Sequence, residues 1–145
     1  MCSSDLASLH VVDAVAYTAR EILPKLAVTT KAASLTLHPT CSTTHLGIGD
    51  DLRLLAEAVA DEVVVPKAWG CCGYAGDRGM LHPELTAAAT AEQAAEVRAH
   101  PTELYASCNR TCEMGISKAT GQTYRHVLEL LDEVAVPYAG VNTTR

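Results

Sequence analysis

Five cysteines of this 145-residue chain fall into three groups, and each group follows a segment whose pattern is typical of a β-strand. They are Cys41, the adjacent pair Cys71 and Cys72, and Cys108 with Cys112. In a doubly wound α/β sheet the C-terminal ends of the strands share one edge, so residues distant in sequence meet there. Thiolates are ligands of zinc and of iron–sulfur clusters, and neighbouring thiols can also exchange disulfides. The spacing therefore predicts a single metal or iron–sulfur site at that edge.

A helix followed by three strand–helix units is predicted to position the cysteines. Apolar residues at helical spacing run from Val11 until Pro24 ends or bends the helix. Strands are predicted at 34–38, 63–65 and 104–107, and helices at 50–59, 83–98, 113–118 and 127–134, the first of these capped by Asp50 or Asp51. This order favours an α/β fold, a small parallel sheet with flanking helices and right-handed crossovers.

The segment after Cys72 is rich in glycine. Residues 70–79 contain four glycines, which indicates a loop with unusual backbone angles or a close approach to a ligand. We therefore take Gly73 and Gly76, with Asp77 and Arg78, as candidate cofactor-binding residues, because an Arg can bind a carboxylate through two parallel hydrogen bonds. The alternative for Asp77 and Arg78 is a local salt bridge that holds the loop.

Composition excludes several classes of function. The formal net charge of -6 and the pI near 5.4 argue against a nucleic-acid partner, since such modules usually carry basic patches. No apolar run is long enough to span a bilayer, and no signal peptide is recognisable. We expect a cytoplasmic protein that could dock on a membrane-bound partner at the inner face. In a reducing compartment, clustered cysteines are more often ligands or redox groups than structural disulfides.

Three kinds of chemistry remain open for the cysteines. An iron–sulfur cluster is our first interpretation, because it prefers all-thiolate ligands and accepts them from distant loops. Zinc would use four ligands, with His38 or His45 as a possible addition, and would leave a thiolate unused. The third alternative is a thiol–disulfide relay through the adjacent Cys71 and Cys72.

The first six residues, Met1 to Leu6, are expected not to be native. Residues 2–6 resemble the translated end of a sequencing-library adapter, which would make the chain the C-terminal part of a longer protein. A genuine polar tail is the alternative. In either case Cys2 is excluded from the site, and residues 7–145 are expected to form one domain.

Three motifs carry a resemblance to a known family. They are His38-Pro39-Thr40-Cys41, the segment from Gly70-Cys71-Cys72-Gly73 to Gly79, and the segment from Ser107-Cys108 to Cys112-Glu113-Met114-Gly115. Together they resemble the cysteine-rich CCG domain of heterodisulfide reductase and of iron–sulfur subunits of glycolate and lactate oxidation. More narrowly, they are similar to the C-terminal end of FAD-linked oxidases such as D-lactate and D-2-hydroxyglutarate dehydrogenases. The resemblance covers about residues 11–133.

The resemblance implies one redox station of a larger oxidoreductase. In that family an FAD domain oxidises a 2-hydroxy acid, and ferredoxin-like and CCG segments carry the electrons towards a quinone or cytochrome. This chain would contain only the last part, so FAD and the ferredoxin-like domain would belong to the missing part or to a partner chain. The resemblance implies a four-iron cluster on Cys41, Cys71, Cys72 and Cys112, with Cys108 as the fifth thiol. The family pattern closes with Cys-x-x-Cys, and Gly115 stands where its last cysteine would be, so the cluster type and zinc stay open.

Overall fold

The computed structural model of the chain, which describes residues 9–138, has a four-stranded parallel sheet at its centre. Its strands are β2 (Ala32–Leu37), β3 (Ala60–Val64), β4 (Leu104–Ser107) and β5 (Arg125–His126), in the spatial order β3-β2-β4-β5. Two further strands, β1 (Leu26–Val28) and β6 (Ala135–Pro137), form a separate antiparallel pair. The predicted α/β class with a small parallel sheet is confirmed.

Seven helices belong to the described part of the chain: α1 (Ala14–Tyr17), α2 (Cys41–Leu46), α3 (Gly49–Val59), α4 (Arg78–Leu81), α5 (Pro83–Ala99), α6 (Arg110–Thr120) and α7 (Val127–Val134). The first continues through a π turn (Thr18–Ile22) into a 3₁₀ turn (Leu23–Lys25) that contains Pro24. A proline cannot donate the next helical hydrogen bond, so the helix ends there as expected. Among residues 9–138, none of the helices has the length and apolar character that crossing a bilayer requires.

The sheet lies between two helical layers because its side chains alternate in direction. On one face, Leu35, Leu37 and Ala106 belong to a fully buried apolar core with residues of α1, α3 and α7. On the other face, Tyr105 packs with apolar residues of α5 and α6. The second core also contains Cys72 and Cys112, so the packing that buries this face of the sheet also buries two of the candidate ligands.

The direction of chain winding reverses between β2 and β4. From β2 the chain passes through α3 to β3 on one side, and from β3 it passes through α5 to β4 on the opposite side. Adjacent strand ends whose connections leave in opposite directions form a crevice, and ligands of open α/β sheets bind in that crevice. Cys41 follows β2 and Cys108 follows β4, so both lie at the crevice.

Some sequence-based expectations were wrong in detail. Neither Asp50 nor Asp51 caps α3; the N-cap position is Ile48, and both carboxylates lie in the first turn. There they interact favourably with the helix dipole, and Asp51 also forms a 2.6 Å ion pair with Arg20. Helix α6 begins at Arg110 instead of near residue 113, so Cys112 lies inside it. The expected non-native tail, Met1 to Leu6, lies outside the described residues.

Candidate metal and redox centre

Helix α2 begins at Cys41 because the preceding residue is a strong N-cap. The Thr40 hydroxyl accepts a hydrogen bond from the Thr43 backbone N–H at 3.3 Å. In return, the Thr40 backbone N–H donates to the Thr43 hydroxyl at 3.2 Å, and the two bonds form a capping box. Thr40 Oγ1 also lies 3.5 Å from Cys108 Sγ. One residue therefore orients the helix that carries Cys41 and contacts the thiol at the end of β4.

Cys72 and Cys112 are in direct contact across two elements. Their Sγ atoms are 3.1 Å apart, and their side chains are only 4% and 5% exposed. Cys72 comes from the loop between β3 and α4, whereas Cys112 occupies the third position of α6. The Asn109 side chain caps α6 by accepting from the Thr111 backbone N–H at 3.1 Å, which fixes the turn that presents Cys112.

The contact shifts the pKa values of the two thiols in opposite directions. The hydrogen bond between Cys72 and Cys112 lowers the pKa of Cys72 to about 6, and the Tyr74 backbone N–H acts in the same direction, while burial opposes both. The same bond raises the pKa of Cys112, because its proton is the one shared with the Cys72 thiolate. At neutral pH the pair therefore holds one proton, which the two sulfurs share.

Two further thiols lie close to this pair. Ionisation of Cys41 or of Cys108 would raise the pKa of Cys112, so both thiols lie within electrostatic range of the pair. Burial raises the pKa of Cys108 itself, and the charges of Asp13 and Glu113 act in the same direction against the Thr40 hydrogen bond. We call this region, formed by Cys41, Cys72, Cys108 and Cys112 at the C-terminal edge of the sheet, the cysteine edge.

Cys71 differs from its neighbour Cys72. Its side chain is exposed, and its Sγ accepts a hydrogen bond from the Gly73 backbone N–H at 3.4 Å. The buried partner of Cys72 is Cys112, not the adjacent thiol. The structure thus places Cys72 and Cys112 in contact, with Cys41 and Cys108 within electrostatic range of them, and leaves both Cys41 and Cys71 exposed.

The glycine loop has the unusual backbone that its sequence predicts. Gly73, Ala75 and Gly76 all have positive φ, at +69°, +43° and +74°. A Cβ on Gly73 would lie 3.0 Å from both the Leu85 carbonyl oxygen and Ala89 Cβ, whereas a Cβ on Gly76 would meet nothing within 4 Å. The close approach at Gly73 is therefore to helix α5.

The other two loop candidates lie at the start of helix α4. Asp77 occupies the N-cap position without a side-chain capping bond, and Arg78 is an exposed first residue. Within residues 9–138 neither forms a salt bridge, so the alternative of a local ion pair between them or with a neighbour finds no support there. Both side chains are accessible to a partner or ligand.

Tyr74 separates the cysteine edge from a cavity of about 410 Å³. Its ring is almost buried and contacts two glycines: a Cβ on Gly79 would lie 2.8 Å from Tyr74 Cα and Cδ2, and one on Gly115 would lie 3.0 Å from Cδ2. The cavity is lined mainly by apolar groups, among them Met80 and Pro83. Gly115, where the family pattern has a cysteine, is thus the residue that lets α6 approach Tyr74.

Two buried polar groups lie near the cysteines. His38 is fully buried, and burial lowers its pKa to about 4, although Nδ1 bonds to the Gln93 amide at 2.9 to 3.1 Å. Glu113, next to Cys112 and 1% exposed, receives a 3.1 Å hydrogen bond from Arg110 on one oxygen, while the other has no partner. The histidine with its lowered pKa adds no positive charge beside the thiols, and the Arg110 guanidinium is paired with the Glu113 carboxylate.

The donor set fits a thiolate-ligated metal group in its chemistry. Four thiols share one edge, and Cys72 is deprotonated near neutral pH, as a ligand must be. In the described part of the chain, no three His, Cys, Asp or Glu side chains are already placed to hold a metal ion. Ligation would therefore require the thiols to turn from their mutual hydrogen bonds towards a common centre.

Sequence reasoning missed several residues that shape the centre. Thr40 had a readable signal, because Thr followed three residues later by Thr is a variant of the capping pattern. Gln93, Glu113 and Tyr74 had none, since their roles arise from packing between elements far apart in the chain.

Comparisons with known proteins identified no related protein. No protein-family model matches the chain, and no curated protein and no solved structure matches it. The similarity to the CCG domain thus stays a prediction that depends on the three cysteine motifs.

Proposed function

We propose that this chain is a cysteine-rich domain that binds an iron–sulfur cluster and passes electrons from a flavin half-enzyme to an acceptor. The observation that carries the proposal is the contact between Cys72 and Cys112, with Cys41 and Cys108 following the two strands between which the strand order of the parallel sheet reverses. Such clusters are usually held by four cysteine thiolates. When bound, the cluster supplies a one-electron carrier.

The protein residues would provide ligands and shielding. Cys72 already carries the thiolate, and Cys112 would release its proton on ligation, so binding should release protons. Tyr74 closes the inner side of the pair, and the Tyr74 backbone N–H bonds to the Cys72 sulfur. Hydrogen bonds to ligand sulfur and low solvent exposure are the usual means by which a protein sets a cluster potential.

The larger setting is proposed as an FAD-linked dehydrogenase of 2-hydroxy acids, of the D-lactate, D-2-hydroxyglutarate or glycolate type. Large apolar side chains are exposed close to the cysteine motifs, and they are Met80, Leu81, Leu85 and Met114. Exposed apolar groups gathered in one region are typical of a surface that contacts another domain. They support contact with a partner such as the flavin or ferredoxin-like domain. Sequencing the DNA upstream of the gene tests this proposal, which expects the reading frame to continue into FAD-binding sequence.

Anaerobic reconstitution tests the cluster directly. We expect iron and sulfide in stoichiometric amounts and a broad visible absorption that dithionite bleaches. Cys72→Ser and Cys112→Ser should each abolish iron binding, whereas Cys71→Ser, the exposed neighbour, is the matched control and should retain it. Loss of iron from Cys71→Ser would extend the ligand set to five thiols.

Stoichiometric zinc, or no metal at all, would overturn the iron–sulfur proposal. Zinc would instead favour a structural module that mediates subunit association, which is the alternative that the four thiols also suit.

A further inference from the structure

We propose that Cys72 and Cys112 form a reversible disulfide when the metal-free chain meets a hydroperoxide. The two sulfurs are 3.1 Å apart, and a covalent S–S bond is about 2.05 Å long, so the sulfurs need to approach by only about 1 Å. They come from different elements separated by 40 positions in the sequence. The fold has therefore paired two thiols that sequence order alone would not pair.

The burial of the pair selects the oxidant. Both side chains are about 95% buried, so hydrogen peroxide, which is close to water in size, reaches them faster than a bulky disulfide or dithiol does. Cys71 is exposed and adjacent in sequence, yet a bond between Cys71 and Cys72 would close a strained ring of eight atoms. The geometry thus favours a disulfide between Cys72 and Cys112 over one between Cys71 and Cys72.

The chemistry balances with one peroxide for each disulfide. One thiolate of the pair attacks a peroxide oxygen, which breaks the O–O bond, releases hydroxide and leaves a sulfenic acid. The second sulfur then attacks the sulfenic sulfur, and the S–S bond forms as a second hydroxide leaves. The two thiol protons convert both hydroxides into water. Two electrons pass from the two sulfurs to the peroxide, and an added dithiol returns them.

The pairing itself does not require a metal. Its consequence for metal binding, however, rests on the proposed function: a disulfide withdraws two of the four thiols at the cysteine edge, so the oxidised chain should not take up a cluster until it is reduced. Oxidation of the empty site would then protect the thiols from irreversible sulfinic acid formation.

Tryptic digestion suits the test because each thiol group lies in its own peptide. Cleavage gives peptide 68–78 with Cys71 and Cys72, peptide 99–110 with Cys108, peptide 111–118 with Cys112 and peptide 32–53 with Cys41. The full chain is freed of metal, reduced, treated with one equivalent of hydrogen peroxide and alkylated with N-ethylmaleimide. Mass spectrometry of the digest then shows which peptides are linked.

The expected product links peptide 68–78 to peptide 111–118, and dithiothreitol added to the digest removes the link. The Cys71→Ser variant must retain it, and since Cys72 is then the sole cysteine of its peptide, the assignment does not depend on whether Cys72→Ser folds. A dominant link to peptide 32–53 or 99–110, a bond within peptide 68–78, or loss of the link in Cys71→Ser would overturn the inference.

Iron content, measured separately after anaerobic reconstitution, keeps the two proposals apart. A chain that takes up iron but forms no link between the two peptides refutes the disulfide and leaves the cluster. A chain that forms the link but takes up no iron refutes the cluster and leaves the disulfide.

Discussion

Gly73 gives the sharpest test of why the glycine loop has its sequence. Replacing it with alanine places a Cβ 3.0 Å from the Leu85 carbonyl oxygen and from Ala89 Cβ, at a φ of +69°. The left-handed conformation costs a residue with a side chain about 1–2 kcal/mol, and overpacking typically adds about 1–3 kcal/mol. Alanine recovers about 0.4–1 kcal/mol by restricting the unfolded chain. We therefore expect Gly73→Ala to lower the free energy of unfolding by about 2–4 kcal/mol.

Gly76→Ala is the matched control. Gly76 has nearly the same φ, +74°, but an added Cβ meets nothing within 4 Å. Its substitution carries the same backbone cost and the same unfolded-state gain without the crowding, so we expect a loss of only about 1 kcal/mol. The difference between the two variants therefore measures the contact between the loop and α5.

Urea unfolding of the reduced, metal-free chain, followed by circular dichroism, measures both values if the slope with urea stays constant. Equal losses for the two variants would contradict the packing explanation. A Gly73→Ala variant that keeps its stability but loses iron on reconstitution would show instead that Gly73 is needed for the approach of a ligand.

Three further predictions follow from the same region. His38, buried with a pKa of about 4 against 6.5 when unfolded, binds fewer protons in the fold, so stability should fall by about 3 kcal/mol from pH 6.5 to pH 4; an equal slope in His38→Gln would contradict this. Cys112→Ala removes the sulfur that shares a proton with Cys72 and should raise the pKa of Cys72 above 6, measured by thiolate absorbance of the metal-free chain; an unchanged inflection would refute the shared proton. Asn109→Ala should cost about 1 kcal/mol in urea unfolding, and Asn109→Ser should restore it, since serine also caps; equal losses would refute a capping role.

The sequence was sufficient for the parallel sheet because its three longer strands carry clear patterns. Strands β2 and β4 and the Val63-Val64 end of β3 carry apolar residues and are bounded by turns or proline, and α5 begins at Pro83 where expected. The two-residue strand β5 and the short pair β1 and β6 have no pattern of their own. They form because a neighbouring strand supplies the hydrogen bonds, which is a tertiary cause that periodicity cannot show.

The candidate site was predictable in position but not in pairing. Strand ends at one edge place the three cysteine groups together, as the topology requires. The orientation of each thiol depends on local structure instead. Starting α6 at Arg110 turns Cys112 inwards to Cys72, and the loop leaves Cys71 exposed. A shift of three residues in one helix start therefore changes which thiols are partners.

Electrostatics connects the two proposals for the cysteine edge. Burial, Asp13 and Glu113 raise the pKa of Cys108, whereas the hydrogen bond with Cys72, burial and the neighbouring thiols raise the pKa of Cys112. Cys72 alone of the three has a lowered pKa, because the hydrogen bond with Cys112 stabilises its thiolate. A bound cation compensates the charge of several thiolates, and a disulfide removes two ionisable groups. In the reduced, metal-free chain the raised pKa values of Cys108 and Cys112 keep protons at this edge near neutral pH, so metal binding by these thiols should release protons.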